Sequence, residues 1–293
     1  MNPLRSDTRA LEFFSPGTVA EAVQILSEVT EPVTILAGGT DLMVQIEQGR
    51  RAPSGIILDL SRLGELQRIG VEGERVRIGA MATCTDIGRS DVLRAEALML
   101  VSAARTVGSP QIQNRATIGG NIMNASPAAD LLPPLLALGA HVVLASNEGR
   151  RAVPLFSFFA GYRQPVAKAS ELLVEVVFQR APEARVDYFR KVGPRRASSI
   201  AKVALAGRAF EVARPGGGLA GGYRLGIASV APICTRLFET ERFLSGRTLD
   251  AKAVEEAVRI LQTEISPRDD LRSSAAYRRF VAGNMLREFL RGV

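Results

Sequence analysis

The chain has 293 residues, 46% hydrophobic and 23% charged, which suffices for two or three domains with real cores and excludes wholesale disorder. Two cysteines, Cys84 and Cys234, and a single histidine exclude a zinc site or a cysteine-ligated iron–sulfur cluster on this chain. The net charge of +7 comes from scattered pairs (Arg50–Arg51, Arg150–Arg151, Arg195–Arg196, Arg278–Arg279) among only 5% aromatic residues, so it gives no nucleic-acid signature and fits an acidic ligand or a negatively charged partner subunit.

In chain order, Thr18 is placed to cap a helix whose apolar positions Val19, Ala22, Val23 and Leu26 recur at helical spacing. A buried strand, "VTILAG", runs into a glycine turn. "TDLMVQIEQG" then reads as a helix with Leu42, Val44 and Ile46 apolar and Gly49 as its stop. "GIILDLS" and "RVRIGAMA" read as strands, and "LRAEALMLVSAARTVG" as a second helix. Strands and helices thus alternate through about the first 180 residues, which predicts an α/β region. The most apolar stretch, "LLPPLLALGAHVVLA", is cut by Pro133, Pro134, Gly139 and His141, so no membrane span is expected. The N-terminus lacks an apolar signal core, and the expected location is cytoplasmic. Both thiols are expected to be buried and reduced.

After "ELLVEVVFQRAPEA" the pattern changes. "DYFRKVG" and "IAKVALAGRAFEV" read as strands, and "GGGLAGGY" as a hairpin loop rather than a phosphate loop, because no helix follows it. Three helices close the chain. A boundary is expected within residues 178 to 186, where Pro182 and charged residues interrupt the pattern.

Two glycine pairs carry the chemistry. Gly38 and Gly39 in "ILAGGTDL" permit positive φ and close approach of a ligand, and successive N–H groups in such a turn form an anion-binding nest. Thr40 adds a hydroxyl, and Asp41 either caps the following helix or accepts from a ligand hydroxyl. Gly119 and Gly120 in "TIGGNIMNASPAAD" repeat the arrangement, with Thr117 before and Asn121 after. A plain strand-to-helix turn explains either pair alone; two nests together suit a ligand with two phosphates, such as a dinucleotide. No G-x-G-x-x-G fingerprint, G-x-S-x-G elbow or paired carboxylates are present, so the chain offers a cradle without acid–base machinery. That combination points to a cofactor that brings its own chemistry.

The two motifs in this order, with "ELLVEVVF" and "YFRKVGPRRASSIAKVALA", make nearly the whole chain resemble the FAD-binding medium subunit of the molybdenum hydroxylases, the family of xanthine dehydrogenase and aerobic carbon monoxide dehydrogenase. The resemblance implies an α+β protein. A two-part α/β FAD-binding domain of the vanillyl-alcohol-oxidase-like (PCMH) type covers residues 1–180, with parts 1–60 and 61–180. A C-terminal α+β domain of carbon monoxide dehydrogenase flavoprotein type covers residues 186–293, and FAD lies between them. It implies FAD contacts at Ile35, Leu36, Ala37, Gly38, Gly39, Thr40, Asp41 and Leu42 on one side, and at Thr117, Ile118, Gly119, Gly120 and Asn121 on the other. By the same resemblance Ser126 and Asp130 lie near the ribityl and adenosine portions, Leu173 near the adenine and Lys191 near the flavin ring. Some relatives place an aromatic residue where this chain has Val107 or Arg196, so the ring's packing departs from theirs.

The implied function is electron transfer from [2Fe–2S] clusters on a small partner subunit, through FAD, to NAD, a quinone or oxygen. The molybdenum cofactor sits on a large partner subunit, in a dimer of heterotrimers. The competing readings are a stand-alone flavin oxidoreductase of the same fold and a flavin-free assembly subunit.

Overall fold

The computed structural model describes residues 12–50, 55–181, 183–195, 197–213 and 219–293. Residues 1–11, Arg51, Pro182, Arg196 and Gly216 to Gly218, all of which figure in the sequence reading, lie outside the described residues.

The chain begins with β1 (Glu12–Phe14), α1 (Val19–Glu28), β2 (Val33–Leu36), α2 (Leu42–Glu47) and β3 (Ile56–Asp59). The strands form a parallel sheet in the order β1-β3-β2. Thr18 caps α1, its hydroxyl accepting from the Glu21 N–H at 3.2 Å. The buried residues of α1 are the expected Val19, Ala22, Val23 and Leu26. They pack on Leu58, Leu60, Leu63 and Leu66 and reach Leu172 and Val174 of the next sheet, so α1 ties the two together. In α2 only Ile46 is buried, and Val44 is exposed; Gly49 follows at φ +65°.

The second sheet comprises β4 (Ile69–Glu72), β5 (Arg75–Gly79), β6 (His141–Ser146), β7 (Gly149–Pro154) and β10 (Leu172–Gln179), with the small hairpin β8 (Phe159–Gly161)–β9 (Gln164–Pro165) beside it. Its order is β4-β5-β10-β6-β7, antiparallel throughout. The strand–helix alternation therefore gives a parallel sheet only in the first part. In the second, six helices intervene between β5 and β6 as a block: α3 (Cys84–Arg89), α4 (Asp91–Glu96), α5 (Leu98–Ala104), α6 (Pro110–Gln113), α7 (Ile118–Met123) and α8 (Leu132–Ala137). These helices cover one face of the sheet and bury Ile87, Leu100, Ile118 and Leu135 against Ile78, Val142 and Val176. Both cysteines are buried and free, as expected, and burial pushes the Cys84 thiol up to about 12.

The C-terminal unit is an antiparallel sheet, β11 (Ala184–Val192), β12 (Val203–Ala213), β13 (Leu219–Ala228) and β14 (Thr235–Arg236), backed by α9 (Phe238–Leu244), α10 (Ala251–Glu264) and α11 (Ala275–Arg291). One face packs under α11 through Phe289 and Leu286. The other receives α8, and Gly226 permits that approach: a Cβ there would lie 2.2 Å from the Pro133 carbonyl oxygen.

The helix expected over residues 93–108 breaks at Ala97 (φ −157°, ψ 58°). Asp187 and Arg208, paired across β11 and β12, form a buried ion pair at 2.7 Å. Arg208 Nη2 donates to the Glu96 carbonyl at 2.6 Å, and the Met99 N–H donates to Asp187 Oδ2 at 3.3 Å. The break frees the carbonyl and the N–H that the C-terminal sheet uses to dock.

Candidate functional site

The first glycine turn connects β2 to α2. Gly38 is required by close approach: its absent Cβ would stand 1.9 Å from the Arg115 carbonyl oxygen, which seats the turn on the chain just before α7. Gly39 adopts φ +77°, a conformation costly for any residue with a Cβ. Its carbonyl accepts from the Met43 N–H at 2.9 Å and starts α2. Among the described residues, the N–H groups of Gly38, Gly39, Thr40, Asp41 and Leu42 donate to no group of the chain. Asp41 makes no side-chain capping bond and is exposed at the turn, so of its two expected roles the capping one is not taken up. All five residues line a cleft of about 440 Å³, within the range of small-molecule and cofactor sites.

The second glycine pair is different: it does not form the expected second nest. Gly119 and Gly120 lie inside α7, not in a loop before it. Thr117 caps that helix, its hydroxyl accepting from the Gly120 N–H at 3.1 Å. The Ile118 and Gly119 N–H groups donate to Ala82 O and Ala80 O at 2.9 and 2.8 Å, and the Asn121 N–H donates to Thr117 O. Every N–H from 118 to 121 is thus spent within the chain. What α7 offers the cleft is side-chain polarity. Asn121 lines the wall, and its Oδ1 is buried with no donor within reach. Such an atom costs about 1–3 kcal/mol unless something donates to it, so the wall is built for a ligand with a hydroxyl or N–H.

The cleft runs between the two parts of the N-terminal region, with Ile35 and Ala37 on one side and Thr117, Gly119 and Gly120 on the other; Leu173 forms part of the floor. Val107, the position where an aromatic was noted in relatives, also lines it. No C-terminal residue is part of the lining among the described residues; that unit reaches the segment beside Val107, where the Ser198 N–H donates to Gly108 O. Glu171 lies on the wall, and Arg151 grips it with Nε at 2.5 Å and Nη2 at 2.8 Å. The arginine holds the Glu171 carboxyl below the usual range and cancels its charge.

Five expected site residues lie elsewhere. Leu36 belongs to β2 but not to the lining, and Ile118 points into the core. The Ser126 hydroxyl accepts from the Ala128 N–H within its own turn. Lys191 Nζ donates to Asp130 Oδ2 at 2.5 Å and to the Thr106 carbonyl at 3.0 Å, so this buried pair clamps β11 to the segment that carries Val107. Burial pushes the Asp130 carboxyl up to about 6 against the pull of Lys191. Conversely Gln45 and Asn124 line the cleft without having been singled out. Asn124 follows Asn121 by three positions, a spacing that reads as one face only once the glycine motif is taken as a helix.

An open run of N–H groups, a partnerless amide oxygen and apolar floor residues together define a dinucleotide-type cleft. Residues 9–178 match the family model described as the FAD binding domain in molybdopterin dehydrogenase, and residues 188–293 match that of the CO dehydrogenase flavoprotein C-terminal domain. The chain belongs to this family of FAD-binding oxidoreductase subunits. It is 33% identical to the nicotinate dehydrogenase FAD-subunit of Eubacterium barkeri over 92% of this chain and 90% of that one. It is 31% identical to the carbon monoxide dehydrogenase medium chain of Hydrogenophaga pseudoflava over 95% of each. A solved structure of carbon monoxide dehydrogenase from the same organism superposes with a TM-score of 0.88 at 30% identity, covering 96% of both chains. No described helix is long and apolar enough to cross a membrane.

Proposed function

We propose that this chain is the electron-transfer subunit of a multi-subunit, cytoplasmic molybdenum hydroxylase, holding FAD in the cleft between its two N-terminal parts. The observation that carries the reading is the open run of N–H groups from Gly38 to Leu42, five residues that all line that cleft. Those groups would take the diphosphate, since consecutive main-chain donors neutralise an anion without a counter-ion. Thr40 would add its hydroxyl, Asp41 would accept from a ligand hydroxyl, and Asn121 would receive the donor its oxygen lacks. Ile35 and Leu173 supply apolar contact. When bound, FAD supplies the redox chemistry that no side chain here provides, between [2Fe–2S] clusters on a small partner subunit and NAD, a quinone or oxygen as acceptor. The molybdenum cofactor would reside on a large partner subunit, in a dimer of heterotrimers, and the chain's surplus positive charge suits acidic partner surfaces.

The test is to purify the chain alone and with its partner chains, denature each preparation and identify what is released. Near one FAD per chain, with iron–sulfur and molybdenum chains co-purifying, is expected. No flavin in either preparation would overturn the reading.

A further inference from the structure

Asn124 closes α7 at the cleft wall, and two separated segments meet on it. Gln45 Nε2, from α2, donates to Asn124 Oδ1 at 3.3 Å. Arg163 Nη1, from the tip between β8 and β9, donates to the same oxygen at 2.8 Å and to the Asn124 carbonyl at 3.2 Å. Arg163 holds this position from φ +54°, a conformation uncommon for a residue with a side chain, and such strain persists where surrounding contacts over-determine it. Two donors on one oxygen fix the amide's orientation, because a flipped amide would set its N–H₂ against both of them. Asn124 Nδ2 then has no acceptor among the described residues, although Asn124 is part of the cleft wall.

We infer that Asn124 is a further cofactor-binding residue, its Nδ2 donating to an oxygen of the bound dinucleotide, and that Gln45 and Arg163 are the positioning residues that aim it. The inference rests on the reading of the cleft as the FAD site. Gln45 also stands one turn beyond the open N–H run, so the same joint fixes α2 and the first turn relative to α7. Its chemistry asks for an acceptor oxygen at this point of the ligand, a phosphate oxygen or a hydroxyl, and a carboxylate at position 124 tells the two apart.

The experiment is titration of the flavin-free full-length chain with FAD, followed by flavin fluorescence, alongside the melting temperature of each flavin-free variant. Asn124→Ala should weaken binding about tenfold, the size of one hydrogen bond. Arg163→Asn, which tolerates the backbone conformation, and Gln45→Ala should each weaken it about threefold. The Asn124→Ala/Arg163→Asn double variant should be no weaker than Asn124→Ala alone, because Arg163 acts only through Asn124. Asn124→Asp keeps the acceptor for both positioning residues and removes the donor. A loss beyond that of Asn124→Ala identifies a phosphate oxygen, and a loss equal to it or smaller, still distinct from wild type, a hydroxyl. Melting temperatures should fall only slightly, and the falls should not follow the order of the losses in affinity. Wild-type affinity in both Asn124→Ala and Asn124→Asp, or losses that add in the double variant, would overturn the inference while leaving the FAD reading intact. A wild-type chain that takes up no FAD, alone or with partners, would overturn both.

Discussion

The two glycine pairs look alike in sequence and do opposite work. Gly38 lets a turn lie on Arg115, Gly39 supplies its positive φ, and the N–H groups of the turn stay open. At Gly119 the missing side chain lets a helix lie on Ala80, where a Cβ would stand 2.8 Å from the carbonyl oxygen, and the N–H groups of both glycines are consumed within the chain, by Ala80 O and the Thr117 hydroxyl. A glycine pair after a strand marks close approach of backbone; whether the partner is a ligand or the chain itself depends on where the N–H groups go.

The largest effect expected lies outside both pairs, at the clamp that backs them. Lys191→Met leaves Asp130 buried without its counter-ion and should destabilise the fold by about 3–5 kcal/mol at neutral pH. The folded-state pKa of Asp130 is already raised, to about 6. Without the lysine it rises further, and a folded state that keeps a proton the unfolded state releases loses stability as pH rises. Denaturant melts should therefore show a larger deficit at pH 8 than at pH 5; an equal deficit would count against this origin. Next, Gly38→Ala drives a Cβ into main chain rather than into a movable side chain, and should cost about 3 kcal/mol or more together with FAD retention. Gly39→Ala meets nothing closer than 3.3 Å, so its cost is that of the backbone conformation, about 1–2 kcal/mol by melting, with FAD affinity lowered as the turn relaxes. Gly120→Ala should change stability by less than about 0.5 kcal/mol: its Cβ crowds the Thr117 hydroxyl at 2.9 Å, and the gain in helix propensity offsets the weakened cap. If Gly120→Ala proved as damaging to the fold as Gly38→Ala, the contrast between the two pairs would fail.

What was legible in the sequence was local. Thr18 and its apolar stripe specify α1, and Gly49 ends α2, because caps and periodicity act within a few residues. The break at Ala97 was not legible, since the groups that bond to the main chain it frees belong to residues 187 and 208. Nor was the helical state of "IGGNIM": two glycines argue against a helix, and the contact with Ala80 that favours it comes from 39 positions upstream of Gly119. The glycine pairs and Asn121 were visible as candidate site residues by type. Gln45 and Asn124, 79 positions apart, became visible only when the fold brought them together.

The contrast between the two pairs can be measured directly by amide hydrogen exchange on the full-length chain, flavin-free and FAD-loaded. The account predicts that FAD protects the amides from Gly38 to Leu42, which have no acceptor without it, and leaves those from Ile118 to Asn121 nearly unchanged, because they are bonded in both states. Protection that appears at 118–121 while 38–42 continues to exchange freely would contradict it.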